Sequence, residues 1–149
     1  MNKDPIELLI RLVETPSVSG NEAAVVDLIR AELAALGLAP VVSGRNVWCA
    51  VEGRRPGKTL LFEPHIDTVP SSPAWTSDPW KAVRANGRVQ GLGANDVKGG
   101  AAAMIFAIRE LAKDRDFITW RAEHPVVPAV PRPPAERAGA RPVRTADRA

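Results

Sequence analysis

The composition of this chain breaks near residue 118, and that break limits what can fold. Residues 121–149 hold six Pro, six Arg, seven Ala and four Val, so 23 of these 29 positions come from four residue types. Such a segment has too few large apolar side chains to offset the entropy of ordering it. Any core must be built by the residues before it. The tail also carries the charge. Its six Arg against Glu123, Glu136 and Asp147 leave +3, which is the net charge of the whole chain. The body, residues 1–120, has 14 basic and 14 acidic residues and is neutral. The high pI therefore gives no reason to expect a nucleic-acid surface on the folded part.

The body reads as alternating helix and strand. Asp4-Pro5-Ile6-Glu7 predicts a helix start, with Asp4 as N-cap, Pro5 in the first turn and Glu7 closing a capping box. Ile6, Leu9, Ile10 and Val13 form its expected apolar face, and Pro16 ends it. Ser19-Gly20-Asn21-Glu22 offers a second capping box, followed by Val25, Leu28, Ile29, Leu33 and Leu36 at helical spacing and a stop at Gly37. Short strands are expected at Pro40–Val42 and Asn46–Glu52. Arg55-Pro56-Gly57-Lys58 reads as a turn, and Thr59–Glu63 as a buried strand. Asn86-Gly87, flanked by Ala82–Arg84 and Arg88–Gln90, is a strong hairpin signal. A glycine-bracketed loop, Gly91–Gly100, leads into a helix from about Val97 to Ala112, where Ala101–Ala103 allow close packing. This order fits an α/β layered domain.

His65 and Asp67 follow the apolar run Thr59–Phe62. In an extended segment residues i and i+2 face the same side, so a carboxylate stands beside the imidazole. That pairing suits a metal ligand oriented by a partner carboxylate. Asp96, in the glycine loop, is a second hard ligand, or alternatively a helix N-cap. Lys98 with Gly99-Gly100 could mark anion binding, but the loop fits neither the dinucleotide fingerprint nor the P-loop. Trp75 and Trp80 read first as packing residues, His124 as a tail residue, and Cys49 as a small buried apolar side chain. One cysteine excludes an internal disulfide, and Met1–Pro5 lacks a signal-peptide pattern. The expectation is a cytoplasmic protein without a membrane segment.

Four segments together resemble a known family: Thr15–Glu22, Leu60–Pro70, Trp75–Trp80 and Gly91–Gly100. They are similar to the zinc-dependent amidohydrolases that include acetylornithine deacetylase, succinyl-diaminopimelate desuccinylase, aminoacylase and glutamate carboxypeptidase. The likeness covers about residues 4–117. It implies that residues 1–117 are the N-terminal part of a three-layer catalytic domain with a mixed central sheet flanked by helices. It implies that His65 binds zinc, that Asp67 clamps its imidazole, and that Asp96 bridges two zinc ions, for which cobalt is a substitute. The implied substrate is a small N-acyl amino acid or short peptide, and family members are often homodimers.

There are departures. Glu63-Pro64 and Leu92 replace the residues usual at those places. The resemblance calls for an adjacent Glu-Glu pair supplying general base and ligand, and none occurs in the 149 residues. The expectation is a catalytically incomplete chain whose residues 118–149 are a disordered, out-of-frame tail. The competing reading is a non-catalytic binding module with a basic tail.

Overall fold

A computed structural model describes residues 4–54 and 59–113. The expected turn at residues 55–58 and the tail with His124 lie outside the described residues.

The first helix, α1 (Pro5–Val13), has the predicted Asp4 cap and first-turn Pro5: the Asp4 carboxylate accepts from the Ile6 amide at 2.8 Å, while Glu7, expected to close a capping box, instead lies 3.6 Å from Arg84. Its buried face differs from expectation. Leu8, Leu12 and Val13 are fully buried, whereas Ile6, Leu9 and Ile10 are only partly covered. Leu8 and Leu12 satisfy the helical period as well as the other set does, and tertiary contact selects between them. The second helix, α2 (Ala23–Ala35), begins four residues later than the proposed Ser19 cap. Ser19 does not cap it because its backbone runs alongside Thr68, and the residue that precedes the helix is Glu22. At the far end Gly37 N donates to Ala34 O and Leu38 N to Leu33 O, at 2.9 and 3.2 Å. This paired closure satisfies carbonyls that a helix end leaves open.

A hairpin follows, β1 (Val41–Ser43) with β2 (Asn46–Trp48), and then a second, β3 (Val83–Ala85) with β4 (Arg88–Gln90), both antiparallel. In the second, Asn86 and Gly87 both take positive φ, 52° and 73°, as a two-residue type I′ turn requires. A wide turn, Ala94–Lys98, then enters α3 (Gly99–Lys113), two residues later than expected, because Asp96 and Val97 have non-helical backbone angles.

The core is helical. Leu8 and Leu12 of α1, Val25, Ile29 and Leu33 of α2, and Ala101, Ala102 and Ile105 of α3 form one buried cluster. The two alanines let α3 approach closely. The helices and small antiparallel sheets make an α/β arrangement, but the described residues form no mixed central sheet. Thr59–Glu63, expected as its buried strand, is in no strand, and Leu60 and Leu61 are 66% and 73% exposed. Among the described residues this run belongs to neither of the two-stranded ladders. The pairing comes later, as a single parallel bridge between Val18 and Thr68. Among the described residues no helix is long and apolar enough to cross a membrane.

Candidate metal centre

Two segments distant in sequence hold the histidine. Thr68 N donates to Ser17 O at 2.8 Å, and Ser19 N donates to Thr68 O at 3.0 Å. The fully buried Ser17 hydroxyl donates to Ile66 O at 2.8 Å. Residues 17–19 therefore run alongside residues 66–68 and fix the backbone on which His65 stands. Glu22 steadies this N-terminal segment in turn. Its buried carboxylate accepts from Gly20 N at 2.6 Å and from Arg45 at 3.1 and 3.2 Å.

His65 Nδ1 lies 3.2 Å from both the Asp67 carboxylate and the Asp67 carbonyl oxygen. The Ser19 hydroxyl donates to the other oxygen of that carboxylate at 2.5 Å. His65 Nε2 lies 3.0 Å from Asp96 Oδ1. The spacing argument thus put Asp67 beside His65, and the fold brings Asp96 to the opposite ring nitrogen from 31 residues away. Burial pulls the imidazole pKa down. The hydrogen bond to Asp96, with the carbonyl and charge of Asp67, outweighs it and leaves the group above its usual value.

Asp96 is not a helix cap in this fold. It sits three residues before α3 begins, and its carboxylate meets His65, with the side chain 87% exposed. Lys98 is no anion site either. It is 1% exposed, and its ammonium donates to Leu12 O at 2.7 Å and Thr15 O at 2.8 Å, with the Trp80 ring 5.7 Å away. Burial pulls its pKa down to about 8, so at neutral pH it remains mainly the ammonium. Trp80 is half-buried beside this ammonium. Gly93, at φ +80°, lets the loop pass close to Thr68: a Cβ there would come within 2.7 Å of Thr68 Cγ2.

The donors fit a zinc ion in kind and nearly in spacing. Two ligands of a tetrahedral zinc stand about 3.3 Å apart, from bond lengths near 2.05 Å. The present 3.0 Å needs only a small opening. With Asp67 accepting a proton on Nδ1, the Nε2 lone pair would be left for an ion. Among the described residues no group of three or more His, Cys, Asp or Glu is arranged to hold a metal. A catalytic zinc normally takes three protein ligands, so these residues offer part of a shell. The bracket by Ser17 and Ser19 and the buried Lys98 were missed by sequence reasoning. Only the first left a trace, as part of the Thr15–Glu22 likeness.

The model of peptidase family M20/M25/M40 matches residues 61–120, which include His65, Asp67 and Asp96. The chain is 36% identical over 126 residues to a succinyl-diaminopimelate desuccinylase of Novosphingobium aromaticivorans, covering 78% of this chain and 34% of that protein. A protein of the same name from Paracidovorax citrulli is 34% identical over 113 residues, covering 67% and 29%. An N-acetyl-L-citrulline deacetylase of Xanthomonas campestris is 35% identical over 103 residues, covering 69% and 28%. The chain spans about a third of the length of these relatives. With the histidine segment and the glycine loop both inside the matched region, the chain belongs to peptidase family M20/M25/M40.

Proposed function

We propose that this chain carries the first part of a zinc centre in a hydrolase of N-acyl amino acids. The observation that supports it best is the 3.0 Å approach of His65 Nε2 to Asp96 Oδ1, two exposed donors brought together across 31 residues. His65 and Asp96 would hold the ion, and cobalt would serve in its place. Asp67 orients the imidazole, and Ser19 orients Asp67. The names of the relatives, a desuccinylase and a deacetylase, support an amide bond between an acyl group and an amino acid as the target. Zinc supplies Lewis acidity toward water and toward the amide carbonyl.

Zinc would sit between His65 Nε2 and Asp96 Oδ1, which lie 3.0 Å apart, close enough for a proton to be shared there when no ion is bound. Metal binding would then expel that proton. The test is calorimetric titration with zinc at pH 7 in two buffers of different ionisation heat. One ion per chain with proton release is expected, and His65→Ala and Asp96→Asn should each remove it. Zinc uptake that persists in both variants would place the metal elsewhere and overturn the reading. Amine release from N-succinyl and N-acetyl amino acids, measured with zinc present, tests the substrate class in the same preparation.

A further inference from the structure

We propose that Lys98 is a positioning residue for Asp96: its buried ammonium ties the Gly91–Lys98 loop to the carbonyls at the end of α1 and so sets the carboxylate opposite His65. This rests on reading Asp96 as a ligand. Asp96 needs such a device. Its side chain is 87% exposed, so burial does not hold it, and its own backbone is non-helical. The loop is fixed on either side instead. Leu92 N donates to Pro79 O at 2.8 Å before it, and Lys98 N donates to Gly93 O at 3.0 Å after it.

The Lys98 side chain makes the longer connection. Its three ammonium protons match three partners: Leu12 O at 2.7 Å, Thr15 O at 2.8 Å, and the Trp80 face at 5.7 Å. Leu12 lies in the last turn of α1 and Thr15 two residues past its end, where carbonyls lack helical partners and the helix dipole is negative. A cation is well placed there, and charge-assisted bonds are stronger than neutral ones. The anchor point is also telling. Two residues after Thr15 comes Ser17, which with Ser19 fixes residues 66–68 behind His65. Lys98 thus fastens the Asp96 loop to the same segment that holds the histidine, and sets the two donors in register with each other.

Amide hydrogen exchange on the full chain in metal-free buffer tests this, read by mass spectrometry. Lys98→Met should speed exchange in peptides covering 91–98 by about tenfold, since two charge-assisted bonds are lost, while α2 is unchanged. In a Cys49→Ala background, Lys98→Cys can be aminoethylated while unfolded and then refolded. That ammonium should restore protection, and a neutral propyl group of similar length should not. Competition with a chelator should show zinc affinity falling about tenfold with Lys98→Met and recovering with aminoethylation. The proposal is overturned if exchange rises equally in α1, α2 and α3, if the propyl chain protects as well as the ammonium, or if the propyl variant does not fold. A parent chain that takes up no zinc defeats the ligand reading of Asp96, while the exchange result still decides whether Lys98 holds the loop.

Discussion

Asp67→Asn separates orientation of the ligand from the ligand itself. Loss of a carboxylate that steadies a metal-bound histidine generally costs ten- to a hundredfold in affinity. The structure places this case at the low end. His65 Nδ1 has two acceptors 3.2 Å away, the Asp67 carboxylate and the Asp67 carbonyl oxygen, and the second survives the substitution. What is lost is the negative charge, along with the strong Ser19 hydrogen bond at 2.5 Å. The expected outcome is zinc binding weakened about tenfold, or about 1.4 kcal/mol. Competition against a chromophoric chelator at pH 7.5 measures it, with circular dichroism melts to show that the fold persists. Ser19→Ala should move affinity in the same direction by less, because it leaves the carboxylate in place. If Asp67→Asn binds zinc as tightly as the parent, the carboxylate does not orient His65 and the account of the pair is wrong.

Three further outcomes follow from the packing. Leu8→Ala removes a fully buried side chain from the three-helix cluster and should cost about 3 kcal/mol, read as a lower urea midpoint. Gly93→Ala combines a φ of +80° with a Cβ 2.7 Å from Thr68 Cγ2, so a loss of about 2 kcal/mol is expected, accompanied by weaker zinc binding. Burial pushes the Cys49 thiol up, so iodoacetamide should alkylate it more slowly in the folded than in the urea-unfolded chain at pH 8. A raised folded pKa makes its contribution to stability complete below the unfolded thiol value, about 8.5, and lost as pH rises through the folded one. The stability advantage of the parent over Cys49→Ala should therefore shrink above that pH in urea titrations.

Local signals predicted the local elements. Asp4-Pro5 marks a helix start because the capping geometry involves neighbours two residues apart, and the cap forms. Asn86-Gly87 specifies a turn because both residues tolerate positive φ, and the hairpin closes in the expected place. The errors share one cause. Choosing Leu8 and Leu12 over Ile6 and Ile10 as the inner face depends on where α2 and α3 lie. Thr59–Glu63 has strand composition, yet composition supplies no neighbouring strand.

The site divides along the same line, and this explains why its chemistry was more legible than its support. His65 and Asp67 are two residues apart, so extended backbone alone puts them side by side. Asp96 is recognisable as a ligand type in a glycine loop, although its approach to His65 is a product of the fold. The residues that enforce that approach carry ambiguous side chains. Ser19 looks like a helix cap until Asp67 is seen to take its hydroxyl. Lys98 looks like an exposed cation until the end of α1 is placed over it. In both cases the partner lies dozens of residues away: a carboxylate receives the Ser19 hydroxyl proton, and carbonyls at the negative end of a helix receive the Lys98 ammonium protons. Polar residues around a metal pair should therefore be assigned by which acceptor the fold offers them, because local spacing ranks only the partners within reach along the chain.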